Sequence, residues 1–419
     1  MKREVYPKVK VCLMTNEAPY IGGSSTSAWC LFKKLKEKGL DAHLMIPSEP
    51  QIGFRPSGDG VHIIEMPAIA HMPLMDLYVD VREGRRAQKT VYLLDTCSAL
   101  SELQPTVIHT HDFTTLRFAA AWRRSRPKAK LVHSFGSCQS VYLYVRSGLV
   151  NSEDIRELRF PRYRHPEEAI LIREPDYVVV KSRLELRIAH KLYGLKNVSN
   201  LYNGVDTDFF NPDVTDDRTF LEKLGVENEQ VIMSVAGNIS KPEKGLDLVV
   251  RAIPLIKEEV PDICYIIVGT VKPHKELEFG TQQKLLNVID KLGVKDNVRF
   301  LGNFLPQDLA KLYKASRVFL DPSIYGPINT ANLEALACGT PVICSKSIGT
   351  GEIMSACDAG FVVDRNPKTW AKLVVKLIND EKIAADMGRR GSRMILDEFS
   401  WDKISEKYIG IYEKVTRGG

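Results

Sequence analysis

The sequence lacks any uncharged apolar run that approaches the roughly 18 residues needed to cross a membrane as a helix. Its first residues, Met1–Met14, include basic side chains but no apolar segment of the kind that a secretory signal peptide contains. The eight cysteines form no CxxC pair and show no metal-ligand spacing, and most lie in apolar segments. We therefore expect a cytoplasmic protein whose cysteines are buried thiols in a reducing compartment.

Internal repeats, coiled-coil heptads and low-complexity tracts are also absent. A chain of 419 residues is longer than the roughly 250–300 residues at which a single core stops growing, so we expect two domains. The apolar fraction of 44% is typical of a globular protein. Strand-like apolar runs alternate with amphipathic helical segments, which predicts α/β domains with doubly wound parallel sheets.

Apolar runs predict the strands of both halves of the chain. In the first half these are Val9–Met14, Ala42–Ile46, Thr106–His109, Lys130–Ser134 and Tyr177–Val180. In the second half they are Val231–Val235, Ile263–Val268, Val298–Leu301, Val318–Leu320 and Pro341–Cys344. Amphipathic segments predict helices at Ser27–Lys38, Arg183–Tyr193, Leu246–Glu258, Gln282–Leu292 and Gln307–Ala315.

The domain boundary is predicted where Asn, Gly, Asp and Pro cluster, in Asn197–Pro212. We expect a first domain over residues 1–200, a second over 201–395 and a helical tail over 396–419. The tail is helical in pattern over Trp401–Val415.

The segment after the strand Val318–Leu320 carries the strongest functional signal. A loop is expected at Asp321–Pro327 and a short helix at Asn329–Cys338, ended by Gly339. The N-terminus of a helix that follows a strand presents free N–H groups and a positive dipole end, which suit a phosphate. The backbone amides near Ile328–Thr330 are therefore candidates to hold sugar and phosphate.

Thr330 and Glu334 are four residues apart and share one face of this helix. A carboxylate one turn inside such a helix end can accept hydrogen bonds from ribose hydroxyls while the amides hold phosphates. The pattern indicates a sugar-nucleotide site.

This segment resembles the donor-site motif of the family-4 retaining glycosyltransferases (glycosyl transferases group 1), which reads Glu-x7-Glu followed by Ala-Met-Ala-x-Gly-x-Pro-Val. Further family motifs occur in order, namely Gly22-Gly23 after the first strand, Asn203-Gly204-Val205-Asp206 in the linker, and Gly237 with Lys244-Gly245. The resemblance runs from about Lys8 to Val415. It implies the GT-B fold, in which two Rossmann-like doubly wound domains face each other across a cleft, with ligands at the carboxyl ends of the strands.

The resemblance also implies roles for individual residues. The first domain would be the acceptor side, the second would bind the nucleotide sugar, and the helical tail would return to the first domain. His111, His133 and Lys244 are the candidate catalytic residues, with His109 a weaker candidate. The candidate donor-binding residues are Gly22, Gly23, Asn238, Lys241, Lys244, Ile328, Asn329, Thr330 and Glu334.

In this interpretation the chain transfers a sugar to a hydroxyl acceptor with retention of configuration. Glu334 would hold the ribose. Lys244 would neutralise the diphosphate, where negative charge develops as the glycosidic bond breaks. His111 or His133 would line the sugar pocket, and Gly22-Gly23 would close on the phosphates or the acceptor.

The sequence departs from the family pattern at two places. Asn238 stands where the family has an arginine, a charge that Lys241 can replace. Gly326, with Tyr325 beside it, stands where the family has the first glutamate of Glu-x7-Glu. Two alternatives to a transferase therefore stay open: a catalytically silent sugar-nucleotide-binding partner, and a GT-B epimerase or phosphorylase.

We expect a nucleotide sugar such as a UDP- or GDP-sugar as substrate, with no separate cofactor and no metal. Asp206-Thr207-Asp208 is formally an Asp-x-Asp metal motif, but it lies in the linker signature with no further carboxylate or histidine cluster. Metal is not needed where a lysine and a helix dipole carry the diphosphate.

Charge is distributed unevenly. Residues 1–200 hold 30 Lys and Arg against 21 Asp and Glu, a net charge of +9, whereas residues 201–419 have a net charge of −3. The segment Trp122–Lys130 has five basic residues in nine, and Arg85-Arg86 adds two more. These cations predict either a solvated helix end or peripheral contact with the anionic inner face of a membrane that supplies a lipid-linked acceptor. Nucleic-acid binding is not expected, because no recognisable motif or interleaved aromatic residue accompanies them.

Overall fold

The computed structural model describes residues 9–17, 19, 22–47, 57–64, 98–161, 165–215, 218–226, 230–270 and 276–417. Within the described residues, a seven-stranded sheet forms the first domain, with spatial order β3-β2-β1-β4-β5-β6-β7 and only parallel pairs. Its strands are β1 Lys10–Met14, β2 Asp41–Pro47, β3 Val61–Ile64, β4 Val107–Thr110, β5 Lys130–Phe135, β6 Tyr177–Val180 and β7 Val198–Asn200.

The described part of the second domain contains a six-stranded sheet, with order β10-β9-β8-β11-β12-β13 and again only parallel pairs. Its strands are β8 Gln230–Asn238, β9 Ile263–Thr270, β10 Val298–Leu301, β11 Val318–Asp321, β12 Val342–Ser345 and β13 Gly360–Val363. The predicted α/β class with doubly wound parallel sheets is confirmed.

Helices cover both faces of each sheet, which buries strands that are apolar on both sides. Those of the first half are α1 Gly23–Glu37, α2 Phe113–Arg123, α3 Gln139–Arg146, α4 Ser152–Arg156, α5 Pro166–Leu171 and α6 Arg183–Tyr193; residues 98–103 are also helical. Those of the second half are α7 Arg218–Lys223, α8 Asp247–Lys257, α9 Glu276–Leu292, α10 Pro306–Ala315, α11 Thr330–Ala337, α12 Thr350–Cys357, α13 Pro367–Asn379, α14 Glu381–Glu398 and α15 Trp401–Arg417.

The strand order of each sheet determines where a ligand can bind at its edge. In the first sheet it reverses between β1 and β4, and in the second between β8 and β11. A crevice opens at the carboxyl ends of the strands where the order reverses, because the two connections leave on opposite faces of the sheet. The loops after these four strands therefore form the natural binding region of each domain.

The final helix packs on the first sheet rather than on the second. Trp401, Ile404, Tyr408 and Tyr412 of α15 are buried in one cluster with side chains of α1 such as Trp29. The last helix of the chain thus belongs to the core of the first domain.

The predicted linker contains a strand at its start. Val198–Asn200 pairs with β6 as the edge strand of the first sheet. Beyond it, the amide of Val205 donates to the Phe399 carbonyl at 2.8 Å. The connection between the domains is therefore held against the chain segment that enters α15.

Direct polar contacts join the domains beside α6. Arg146 of α3 forms an ion pair with Glu243 of the second domain at 2.7 Å. The amides of Arg183 and Leu184, at the start of α6, donate to the Glu352 carboxylate at 3.0 and 2.8 Å. A carboxylate from one domain thus satisfies a helix N-terminus of the other.

Candidate functional site

A cleft of about 270 Å³ lies between the two domains at the carboxyl ends of the strands. Most of its lining comes from the first domain, and Ile328 and Thr330 contribute from the second. The lining residues are Gly23, Ser24, Ser27, His111, Asp112, Phe113, His133, Ser134, Gly136, Ser137, Gln139, Lys181, Asn203, Ile328 and Thr330.

The N-terminus of α1 forms one edge of the cleft. The helix begins at Gly23, four residues earlier than predicted, with Gly22 as N-cap and no acidic residue in its first turn. The hydroxyls of Ser25 and Thr26 donate back to the Gly22 carbonyl, each at 2.9 Å, and Gly22 supplies no side-chain cap to the amides of the first turn. Gly23 and Ser24 therefore line the cleft at the positive end of the helix.

The predicted histidines His111 and His133 both line this cleft, directly after β4 and within β5. The Nε2 atoms of both rings are buried and have no hydrogen-bond partner among the described residues. Burial, with a smaller contribution from the charge of Lys181, lowers the pKa of His111 well below its usual value. Burial also lowers the pKa of His133, to about 3. Both imidazoles are therefore neutral near pH 7.

The tautomer of His133 follows from its neighbour. Its Nδ1 lies 2.9 Å from Thr110 Oγ1, which has the Val132 carbonyl as an acceptor at 3.5 Å. We assign the ring proton to Nδ1, which leaves Nε2 as an acceptor for a hydroxyl in the cleft. His109, in contrast, has both ring nitrogens occupied, by Tyr412 Oη at 2.7 Å and Ser134 Oγ at 2.8 Å. It is a core residue and does not line the cleft.

Sequence reasoning missed two charged residues in the first-domain wall. Asp112 caps α2, accepting from the Thr115 amide at 2.8 Å and the Asn16 amide at 2.9 Å, and burial raises its pKa to about 6. Lys181 follows β6 and is 4% exposed. Both residues could have been found from the sequence, because each is a charged residue within two positions of the end of a buried strand. That position lies at the carboxyl edge of a parallel sheet, where ligands bind.

On the opposite wall, α11 begins with a capped N-terminus. Asn329 is the N-cap, and its side-chain oxygen accepts from the Ala331 amide at 3.3 Å. Its side-chain nitrogen donates to Asp321 at 3.2 Å, and Asn332 donates to the same carboxylate oxygen at 2.8 Å. Asp321, at the end of β11, thus fixes the direction of the helix.

The N-termini of α1 and α11 lie close to each other across the cleft. A methyl group placed on Gly23 would lie 3.9 Å from Thr330 Oγ1. Two helix N-termini from different sheets therefore face the same cleft, a geometry that favours a ligand with phosphate groups.

Glu334 lies one turn into α11, on the face that carries Thr330. Its Oε2 accepts a hydrogen bond from the Tyr313 hydroxyl at 2.9 Å. Burial raises the pKa of the Glu334 carboxyl to about 7, and the negative charge of Asp206 adds to the shift. Glu334 does not line the cleft itself; it lies one helical turn further along α11 than Thr330, which does.

The segment after β8 forms a single 3₁₀ turn at Pro242–Lys244 and ends at Gly245 with φ +58°. The Ile324 amide donates to the Glu243 carbonyl at 2.7 Å, which brings this turn against the loop after β11. Lys244 is half-buried there. The segment that contains Lys244-Gly245 is thus adjacent to the loop predicted at Asp321–Pro327, although its residues Asn238, Lys241 and Lys244 do not line the cleft.

The segment around Lys244 lacks the arginine of the family pattern, because Asn238 stands in its place, and a different arginine, Arg365, lies nearby. The side-chain oxygen of Asn238 accepts from the Ser240 amide at 2.9 Å, so it shapes its own turn. A methyl group placed on Gly245 would lie 2.4 Å from Arg365 Nη1, a buried guanidinium nitrogen that has no hydrogen-bond partner among the described residues. Arg365 was not predicted from sequence, and it places a second cation beside Lys244-Gly245.

Tyr325 does not replace the missing first glutamate. Its side chain is 1% exposed and packs in the buried cluster around α3 and α6 of the first domain. Its hydroxyl donates to Glu185 and accepts from the Cys138 amide at 3.2 Å. Tyr325 therefore joins the domains, and Gly326 leaves the position of the family carboxylate without a side chain.

Asp206 of the Asp-x-Asp sequence accepts a hydrogen bond from Lys33 at 3.3 Å, and Asp208 is exposed. Within the described parts of the chain, no group of three or more His, Cys, Asp or Glu side chains is arranged to hold a metal ion.

The basic segment Trp122–Lys130 is partly neutralised. Arg123 pairs with Asp176 at 2.5 Å and Arg124 with Glu174 at 3.3 Å. Arg85-Arg86 lies outside the described residues. No helix that the structure describes is long and apolar enough to cross a membrane. Contact with a membrane surface stays a prediction.

Comparison with known proteins agrees with this architecture. Residues 216–394 match the family model described as glycosyl transferases group 1, and residues 21–209 match that described as glycosyltransferase family 4. A D-inositol 3-phosphate glycosyltransferase of Xylanimonas cellulosilytica is 25% identical over 94% of this chain and 92% of that protein. Spore coat protein SA of Bacillus subtilis is 28% identical over 51% of this chain and 58% of that protein.

Solved structures show the same fold at low sequence identity. Sucrose-phosphate synthase from Thermosynechococcus elongatus superposes with a TM-score of 0.78 at 18% identity, covering 98% of this chain and 100% of that one. Anabaena HepE, in complex with UDP and glucose, superposes with a TM-score of 0.72 at 18% identity, covering 97% and 100%. The predicted GT-B fold, two Rossmann-like domains facing across a cleft, is confirmed.

Proposed function

Because the chain belongs to the group 1 glycosyl transferases of family 4, we propose that this glycosyltransferase moves a sugar from a nucleotide diphosphate sugar to a hydroxyl acceptor with retention of configuration. The observation that carries the proposal is the meeting of two helix N-termini, at Gly23 of α1 and Thr330 of α11, across one cleft. The positive ends of both dipoles favour a diphosphate between them.

The nucleoside would lie along α11. Glu334 Oε2 is held by Tyr313, which fixes the carboxylate and leaves its other oxygen to accept from ribose hydroxyls. This contact would orient the donor so that its diphosphate meets the N-terminus of the same helix. The UDP and glucose in Anabaena HepE support uridine nucleotides as the first donors to test.

The leaving diphosphate would be stabilised from the second domain. Lys244 lies in the turn packed against the loop after β11, and the Arg365 guanidinium lies beside Gly245. Cations placed where charge develops lower the barrier, since they interact more strongly with the departing diphosphate than with the intact donor. With Lys241 in the same turn, they would compensate for the arginine that Asn238 replaces.

The neutral histidines suit hydroxyl groups. The Nε2 atoms of His111 and His133 have no partner among the described residues and belong to side chains that line the cleft, where they would bind hydroxyls of the donor sugar or the acceptor. In the proposed transfer, the acceptor oxygen bonds to the anomeric carbon on the face from which the diphosphate leaves. The acceptor proton passes to the departing phosphate oxygen, so no protein nucleophile is required.

The acceptor is proposed only as a hydroxyl compound, either a glycan, a lipid-linked saccharide or a small molecule. A lipid-linked acceptor would place the protein in the cytoplasm at the inner membrane face. In Trp122–Lys130, Arg126 and Lys128 are exposed and form no ion pair among the described residues, so both are cations for that contact.

A thermal-shift screen of UDP- and GDP-sugars, followed by transfer of labelled sugar from the best ligand, tests the proposal. A ligand at a hundredfold excess over its dissociation constant stabilises the folded state by about 2.7 kcal/mol, which is readily measured. We expect one nucleotide sugar to bind and to donate its sugar. A ligand that binds without any transfer to crude lipid or glycan extracts would instead favour a silent binding protein.

A further inference from the structure

Lys181 is a buried lysine at the wall of the cleft. It follows β6 in the first domain, is 4% exposed and lines the cleft. Buried lysines are normally paired with a carboxylate, because an uncompensated charge is strongly disfavoured away from water. Among the described residues, no Asp or Glu forms an ion pair with Lys181.

The partners of Lys181 are neutral hydroxyls. Its Nζ donates to Ser134 Oγ at 3.2 Å and to Tyr408 Oη at 2.5 Å. An ammonium group has three N–H donors, so one remains for a ligand. Tyr408 comes from α15, which means that the last helix of the chain holds this lysine in place.

The other titratable groups of this wall, among the residues that the structure describes, do not pair with the ammonium group of Lys181. The three nearby histidines His109, His111 and His133 are neutral, and the charge of Lys181 is one reason why their pKa values are low, after burial. Asp112 lies in the same wall, but its carboxylate accepts from the two backbone amides that it caps and forms no ion pair with Lys181. A ligand that reaches Lys181 therefore meets an ammonium group that is not ion-paired with any described carboxylate.

The position of Lys181 separates it from the proposed diphosphate site. β6 is three strands away from β1 in the sheet, and neighbouring strands are about 4.8 Å apart, so the two strand ends are about 14 Å apart. The diphosphate is proposed at α1 and α11, near the β1 end of the cleft. Lys181 is thus placed to meet a different anion.

We propose that Lys181 binds an anionic group of the acceptor, a phosphate ester or a carboxylate, at the first-domain wall of the cleft. The inference rests on the proposed function, because it takes the second substrate of the cleft to be the sugar acceptor. It narrows the acceptor from any hydroxyl compound to one that carries a negative charge.

Calorimetric titration of the whole protein with glucose 6-phosphate, glucuronate and glucose tests this directly. We expect the parent to bind at least one of the two anionic sugars and to bind glucose far more weakly. Binding of glucose 6-phosphate alone identifies a phosphate ester, and binding of glucuronate alone identifies a carboxylate. A parent that binds neither anion, or that binds glucose equally well, overturns the proposal.

Variants then locate the site. Lys181→Gln should weaken binding of the anionic sugar by about 10- to 100-fold, the usual effect of a lost charged hydrogen bond. Lys181→Arg should retain most of the affinity, and Lys191→Ala, at an exposed position of α6, should bind like the parent. Unchanged affinity in Lys181→Gln would refute the assignment. Lys244→Ala is titrated as well, and a loss of anion affinity in that variant but not in Lys181→Gln would place the anion in the donor site instead.

The unfolding temperature supplies a second readout, because a purely structural role of Lys181 would change it in the opposite direction. Ser134 Oγ and Tyr408 Oη are 3.1 Å apart and can bond to each other when the ammonium is removed. The ligand-free Lys181→Met variant should therefore unfold at the same temperature as the parent or higher, because a buried charge is lost. A clear fall would show that Lys181 serves the core. These measurements need no transfer, so absent sugar transfer would refute the proposed function alone.

Discussion

Substitution of Glu334 perturbs the proposed ribose contact with little expected effect on the fold. Its Oε2 accepts from Tyr313 at 2.9 Å, and the other carboxylate oxygen is available to a ligand. Hydrogen bonds to a charged group contribute about 1.5–3 kcal/mol, and about 1.4 kcal/mol corresponds to a tenfold change in affinity. Glu334→Ala should therefore weaken nucleotide binding by about 10- to 100-fold. Glu334→Gln keeps one acceptor oxygen and should lose less.

The same carboxyl predicts a pH dependence. Burial raises the pKa of Glu334 to about 7, so near neutral pH a large part of the free protein carries the protonated form. Ribose hydroxyls donate better to the carboxylate, so the affinity of the parent should fall as the pH decreases through 7. When the ligand is free UDP or GDP, its terminal phosphate also titrates near pH 6, as a phosphate monoester does. The quantity to compare is therefore the difference between parent and Glu334→Gln.

Isothermal titration with the selected nucleotide at pH 6, 7 and 8 provides the assay. Glu398→Ala is the matched control, since Glu398 is an exposed carboxylate at the end of α14 in the same domain. Tyr313→Phe should give a smaller loss than Glu334→Ala, because it removes only the group that orients the carboxylate. Equal affinity of Glu334→Ala and the parent, with the fold intact by circular dichroism, would refute the ribose contact. So would an identical pH dependence in Glu334→Gln.

Three further predictions concern turnover, metal and stability. Lys244→Ala should lower turnover far more than donor affinity, and Lys241→Ala/Lys244→Ala should remove the residual activity; equal rates in parent and double variant would exclude this turn from catalysis. Transfer should survive EDTA, and full loss restored by Mn²⁺ or Mg²⁺ would contradict a metal-independent mechanism. Burial raises the pKa of Glu185 from 4.5 to about 8, so its stabilising contribution is complete below pH 4.5 and is lost as the pH rises through 8. The unfolding temperature of the parent should therefore fall more between pH 5 and pH 8.5 than that of Glu185→Gln, whereas parallel curves would show that Glu185 does not titrate in this range.

The sheets were predictable because their strands are continuous apolar runs. β11 and α11 follow directly from Val318–Leu320 and from the Asn329 cap and Gly339 that bound the helix. The face shared by Thr330 and Glu334 follows from helical periodicity alone. Local rules therefore sufficed for the second-domain wall of the cleft.

Contacts between distant segments were not predictable from the sequence. Tyr325 forms a hydrogen bond with Glu185, which is 140 residues away in the sequence, and Lys181 forms one with Tyr408, which is 227 residues away. Each residue stands at the end of a recognisable element, but their meeting depends on how the domains dock and on where α15 returns. The early start of α1 was missed for another reason. Glycine disfavours helix, and Gly22 supplies no side-chain cap at this start, so the sequence carries no local signal for it.

The stereochemistry of transfer tests the central claim most directly. The nucleotide sugar that stabilises the protein most should be incubated with it and an acceptor, and the new anomeric linkage followed by proton NMR from the first minutes. The account predicts a product with the anomeric configuration of the donor, formed by the parent and strongly reduced in Lys241→Ala/Lys244→Ala. A product of inverted configuration would contradict same-face transfer, and binding without any product would contradict a transferase.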